Sequence, residues 1–267
     1  MIRKVLRLSA NTVLSVFGLS IIRNYEREYV REKYLDLITE LQSFFKEKIF
    51  KDFPIDKKRT KLFAQLYGTQ VSEAFYIIYY LNKTLQLKGD VCEFGCANGA
   101  TSALLAHEIK KTNKNLWLFD SFQGLSKPAK EDRLINDIFH LGSMNKYEGS
   151  MKYSVGEVKS RLRAIAFPER RTKIVSGFIE QTITQKELPA KISFAFVDFD
   201  LYTPIKTALK YIDVHLVKRG VVIIDDYNFF SLGAKKAVDE FYTTYRNKYN
   251  LFFPHKSAGH FCILQKK

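Results

Sequence analysis

Three cysteines in 267 residues, Cys92, Cys96 and Cys262, are too few to form a disulfide framework. Cys92 and Cys96 stand in CxxxC spacing without the histidines a zinc site would need. They read as small buried residues of a reduced, cytoplasmic protein. Internal repeats and low-complexity segments are missing, as is any apolar run of membrane-spanning length. In the N-terminal region, Leu8 to Ile22 is free of charge for only 15 residues, whereas a bilayer needs about 20. Acidic residues are short: 28 Asp and Glu against 43 Lys and Arg leave a net charge of +15. Such an excess suits nucleic acid, acidic glycans or an anionic membrane face. The charge is spread along the whole chain, however, and no aromatic RNA-reading signature accompanies it, so nucleic acid is not expected as a partner.

Met1 to Arg23 carries Arg3, Lys4, Arg7 and Arg23 with no acid. Two readings stay open for it: an amphipathic helix lying on the inner face of the membrane, or a helix docked on the domain or a partner subunit. Residues 24–60 continue as a charged helical stretch, and 1–60 together read as a helical extension ahead of a domain over 61–267. From there strand-like and helix-like segments alternate, the pattern of a parallel α/β sheet. A helix over 72–83 precedes strands at Val91, Leu116–Phe119, Lys173–Val175, Ser193–Val197 and Val221–Ile224. Helices are expected over 203–217 and 233–248, and a hairpin over 251–253 and 261–264 closes the chain. Residues 126–172 break the alternation with a long polar and aromatic insert, read as a lid or substrate-recognition segment.

What the chain does have is carboxylates where strands should end. Phe196-Val197-Asp198-Phe199-Asp200 and Ile224-Asp225-Asp226-Tyr227 each run from apolar residues into acids. Asp198 lies 27 and 28 positions before the Asp225–Asp226 pair, room for one crossover helix between parallel strands. Three carboxylates converging on one sheet edge call for a hard divalent metal among them. On the same edge, Asp90-Val91-Cys92-Glu93-Phe94-Gly95-Cys96-Ala97-Asn98-Gly99 ends a strand with an acid and two glycines, then enters a small, apolar helix start. The spacing is GxxxG rather than GxGxxG, and Glu93 disfavours phosphate while suiting a cationic ligand. Asp120 follows Glu93 by 27 residues and reads either as a helix N-cap or as the acid that binds a ribose diol.

The series GDVCEFGCANGATS, LWLFDSFQGL, IVSGFIEQTI, FVDFDLYTPIKTAL and GVVIIDDYNFFSLGAKKAVDEF resembles the macrocin O-methyltransferase family, in order, from about Leu62 onward. The resemblance implies a Rossmann-like, doubly wound, mostly parallel seven-stranded sheet. It also implies an enzyme that methylates sugar hydroxyls with S-adenosylmethionine and Mg2+. The acceptor would be a glycan, a nucleotide sugar or a glycosylated natural product. Asp198, Asp225 and Asp226 are then the metal ligands, with Asp198 also the general base and a neighbour of the cofactor. Glu93, Phe94, Gly95, Cys96, Ala97 and Gly99 fall on the methionine side of the cofactor, Asp120 and Ser121 on its ribose, and Ser176, Gly177 and Phe178 on its adenine. The loop reads CANG where the family commonly has a bulkier Trp-Arg-Gly type. A homo-oligomer is implied as well.

Tyr202 and Tyr227 either line a sugar pocket or pack beneath the loop, and Asp200 either bonds backbone or supports the metal. His107 and His215 read as structural, and His140, His255 and His260 as residues within reach of substrate. Three rival functions compete with this reading. A metal-dependent glycosyltransferase would use Asp198 and Asp200 as a DxD motif but needs no EFGCANG loop. A nicotinamide oxidoreductase leaves the carboxylates idle. A basic binding module explains only the charge.

Overall fold

The computed structural model describes residues 24–256 and 258–267, so the expectations for Met1 to Arg23 lie outside the described residues. The chain opens with helix α1 (Asn24–Phe44), a π-helical turn (Phe45–Ile49), a short α2 (Thr60–Phe63) and α3 (Val71–Thr84). Strand β1 (Asp90–Phe94), α4 (Ala100–Ile109) and β2 (Leu116–Asp120) form the first crossover. Helix α5 (Val155–Ala164) and β3 (Thr172–Ser176) form the second. After α6 (Ile179–Thr182) come β4 (Ile192–Val197), α7 (Tyr202–His215), β5 (Leu216–Ile224), α8 (Leu232–Tyr245) and the pair β6 (Tyr249–Phe252) and β7 (Cys262–Lys266).

The seven strands lie in the order β3-β2-β1-β4-β5-β7-β6. β3 to β5 are parallel, while β7 runs antiparallel to both β5 and β6, which is the closing hairpin read from the sequence. Helices cover both faces of the sheet, so its central strands carry no polar alternation. All six residues of β4, Ile-Ser-Phe-Ala-Phe-Val, are buried. The order reverses between β1 and β4, and in open α/β sheets ligands settle outside the carboxyl ends at such a switch point. Asp120 ends β2, while Asp198 and Asp225 directly follow β4 and β5.

The described part of the N-terminal extension is bound into this body. Phe45 and Phe53 are buried against Phe75 of α3, with ring centroids 4.4 and 5.5 Å away. Buried Arg59 meets Glu108 of α4 through two nitrogens at 2.6 and 2.8 Å. No helix among the described residues is long and apolar enough to cross a membrane.

The segment 126–172 divides into two parts. Its second half contains α5, begun by a capping box between Ser154 and Glu157 and packed through Val158 and Leu162 into the main core. This is the ordinary crossover helix from β2 to β3. The first half carries its own small core of Met144 and Tyr147 against Leu201 and Phe230. Asp132 ties it down, accepting hydrogen bonds from Tyr202 N (2.9 Å), Ser231 Oγ (2.9 Å) and Ala129 N (2.8 Å).

Candidate active site

A cavity of about 270 Å³ opens at the switch point. Gly95 and Ala97 after β1, Asp120 at the end of β2 with Ser121 next to it, and Phe178 beyond β3 line one side. Asp198, Asp200, Asp225 and Asp226 line the other, and Tyr67, Ile138, Phe139, Met151, Tyr153 and Phe229 complete the wall.

The carboxylates gather differently from the sequence expectation. Asp198, Asp200 and Asp226 each place an oxygen within 4.8 Å of the other two. Asp225, expected as the third ligand, is outside this triplet: its Oδ1 accepts the Asp226 amide at 2.7 Å and its carboxyl meets that of Glu73. Asp200 and Asp226 both hold left-handed backbone, at φ +59° and +55°. For non-glycine residues that conformation is costly and concentrates at functional sites. Burial, reinforced by the charges of Asp225 and Asp226, pushes the Asp198 carboxyl well above the usual carboxylate range. Burial and the charge of Asp226 raise Asp225 to about 8. Such a set is stable as anions only when a cation shares the space.

Asp120 is not a helix N-cap, because no helix follows β2 directly. Its Oδ2 accepts the amides of Cys96 and Ala97, both at 2.9 Å, and its Oδ1 that of Phe122 at 2.7 Å. The acid thus clamps the glycine loop in place and keeps a lone pair on Oδ1. Ser121 lines the cavity, but its hydroxyl is engaged in its own turn, donating to Gly124 O at 2.7 Å.

Several residues assigned to the cofactor do not reach the cavity. Glu93 is buried beneath the loop and accepts a short hydrogen bond from Ser102 Oγ. Phe94 stacks on Phe119 in the core, centroids 4.5 Å apart, and the Cys96 thiol is buried. Gly99 is under a packing constraint, since a Cβ there would lie 2.9 Å from Val158 Cα of α5. Gly177 meets Thr182 in the same way, and Ser176 is exposed at the end of β3. Tyr202 and Tyr227 follow the packing reading, with hydroxyls bonded to Glu240 and Asp239 at 2.7 and 2.8 Å. Of the histidines, His107 bonds Asp56 at 2.8 Å and His215 packs on Tyr211. His260 stacks on Phe229, and burial raises the Asp226 pKa, opposed in part by the hydrogen bond with Asp200 and by the nearby His260. Glu73, Tyr67, Phe139 and Met151 are not visible in the sequence, because none sits in a motif or at a strand end, whereas Glu180, which also lines the cavity, stands within the IVSGFIEQTI segment two residues beyond Phe178.

Burial raises the Glu93 pKa to about 8, helped by the Asp120 charge and opposed by the Ser102 hydroxyl. A carboxyl whose folded pKa exceeds its unfolded value binds more protons when folded, so stability falls as pH rises between the two. The ligand-free protein should therefore lose stability from about pH 4.5 to about pH 8. Glu93→Gln, which mimics the protonated form, should flatten that slope in urea titrations taken at several pH values.

By sequence, residues 80–267 match the macrocin-O-methyltransferase (TylF) family, and no curated protein matches the chain. Among solved structures, the O-methyltransferase NovP is similar at TM-score 0.65 and 17% identity, covering 88% of this chain and 99% of that one. The calicheamicin methyltransferase CalS11 is similar at TM-score 0.58 and 19% identity, covering 93% and 95%. The O-methyltransferase TomG from Streptomyces achromogenes, in complex with S-adenosylmethionine, is similar at TM-score 0.50 and 14% identity, covering 87% and 98%. At such identities these likenesses establish the fold, while the family match extends over most of the chain. The chain belongs to the macrocin-O-methyltransferase (TylF) family and is an S-adenosylmethionine-dependent O-methyltransferase.

Proposed function

We propose that the protein methylates a hydroxyl of a sugar, carried on a glycan, a nucleotide sugar or a glycosylated natural product, with the help of Mg2+. The observation that carries this reading is the meeting of Asp198, Asp200 and Asp226 in the cavity that Asp120 and the Gly95–Ala97 loop also line. The donor set is oxygen only, which fits a hard divalent cation. A buried carboxyl oxygen of Glu73 beside it has no hydrogen-bond partner, a further sign that the cluster is built for positive charge. CalS11 is a TDP-rhamnose 3'-O-methyltransferase, which supports a sugar acceptor here.

When bound, the sulfonium cofactor supplies an activated methyl group and the cation lowers the pKa of an acceptor hydroxyl. Asp198, Asp200 and Asp226 would hold the cation. Asp198 accepts the hydroxyl proton as the methyl group moves. Asp120 offers its spare Oδ1 lone pair to the ribose while its other bonds keep the Gly95–Ala97 loop rigid. Phe178 flanks the adenine. Ile138, Phe139 and Met151 form an apolar wall that excludes water and fixes the approach of acceptor oxygen to methyl carbon.

Calorimetry tests the reading directly. S-adenosylmethionine and S-adenosylhomocysteine should bind with micromolar affinity, with or without Mg2+. Asp120→Ala should weaken both at least tenfold, because it removes the ribose partner and frees three loop amides. Binding of a nucleotide sugar alone, and only with metal, would sink the proposal and favour a glycosyltransferase.

A further inference from the structure

Glu73 lies in the first turn of α3, and its surroundings do not explain it. Ala74, Phe75, Ile77 and Ile78 around it in sequence are all buried and apolar. The Glu73 side chain is 2% exposed, and its Oε1 has no hydrogen-bond partner. A buried polar atom left unpaired costs about 1–3 kcal/mol. The neighbourhood makes matters worse: the carboxyl meets that of Asp225 and feels the charges of Asp225, Asp198 and Asp226. For folding alone, an apolar residue would serve better.

The site is also closed on this side. Ser72 Oγ donates to Ala258 O at 2.8 Å, pinning the loop before β7 onto the start of α3. A Cβ on Gly259 would lie 3.7 Å from Glu73 Cβ, so this loop packs against the base of the Glu73 side chain. An acid retained in such a place needs a cation to justify it.

Resting on the metal reading above, we propose that Glu73 belongs to the cation site as a positioning residue. It acts through Asp225, which it braces beside the Asp198–Asp200–Asp226 triplet, and its spare oxygen is available to water held by the cation. This supplies Asp225 with a role that the triplet does not give it.

The test uses Mn2+ as the probe, with free ion followed by electron paramagnetic resonance, on the full-length wild type and Glu73→Gln. S-adenosylmethionine affinity and thermal melting are measured alongside. Glu73→Gln should weaken Mn2+ binding at least tenfold and leave S-adenosylmethionine affinity within twofold. It should also raise the melting temperature of the metal-free protein, since an acid is removed from among acids. Undiminished Mn2+ affinity with a lowered melting temperature would make Glu73 a packing residue and overturn the proposal. Failure of the wild type to bind Mn2+ would overturn the cation reading itself, a result distinct from the first. Should Glu73→Gln not fold, Glu73→Met, of similar length and with no hydrogen-bonding oxygen, carries the same comparison.

Discussion

Asp198→Asn should lower kcat by about 10³-fold while changing S-adenosylmethionine affinity by less than about tenfold, in assays of S-adenosylhomocysteine release with a saturating acceptor. The substitution keeps the size of the side chain and one oxygen, but the amide cannot take a proton. Geometry sets the scale of the loss. Asp198 directly follows β4, its amide donates to Phe94 O at 2.7 Å, and its carboxyl stands in the triplet with Asp200 and Asp226. General-base catalysis contributes about 10²–10⁴-fold, and the lost charge also weakens the hold on the cation. Titration with Mg2+ separates the two effects. Whatever part of the defect saturating Mg2+ restores belongs to metal binding, and the part that persists belongs to proton transfer. A kcat within tenfold of wild type at saturating Mg2+ would remove Asp198 as the base. The asymmetry between kcat and cofactor affinity follows from the proposal, in which Asp120 and the Gly95–Ala97 loop it clamps form a cofactor side separate from the cation side.

The sheet was legible in the sequence because its strands are short apolar runs ending in acids, a pattern that survives without knowledge of packing. Strand β5 began at Leu216, five residues before the expected Val221, because Lys218 and Arg219 sit in the strand and hid its start. The site was legible in outline only. Asp198, Asp226 and Asp120 follow from their place at strand ends. Asp200 joins the tightest carboxylate triplet through left-handed turns at Asp200 and Asp226, while Asp225, an expected ligand, lines the same cavity with its carboxyl against Glu73. No spacing rule carries that information. The packing demand on Gly99 is hidden for a similar reason, since the helix that needs its bare Cα, α5, lies nearly 60 residues further on. Glu73 was invisible altogether: within a helix of apolar residues it looks like one polar position among several, and only its burial beside Asp225 sets it apart.

Gly95→Ala should cost about 4 kcal/mol of stability in urea unfolding, among the largest effects a single added methyl group can have. Two penalties combine. Gly95 holds φ +88°, where an alanine is strained by about 1–2 kcal/mol. The new Cβ would also overlap the carbonyl oxygen of Asp198 and stand 2.8 Å from its carbon, so one strand end must move. Neither neighbour yields easily, for Gly95 N donates to Phe119 O at 2.8 Å and Asp198 N to Phe94 O at 2.7 Å. Gly142→Ala isolates the first penalty. Gly142 has φ +82° but nothing within 4 Å of its would-be Cβ, so it should lose only about 1 kcal/mol. The difference between the two variants therefore measures how tightly β1 and β4 are pressed together where the cofactor loop meets the cation site. It also makes a functional claim. Because the overlap falls on Asp198, the Gly95 variant that still folds should lose activity well beyond its loss of cofactor binding, whereas Gly142→Ala should keep both. Equal stability losses for the two variants would show that the close approach at Gly95 relaxes at little cost, and that Asp198 is not held in place by the loop beside it.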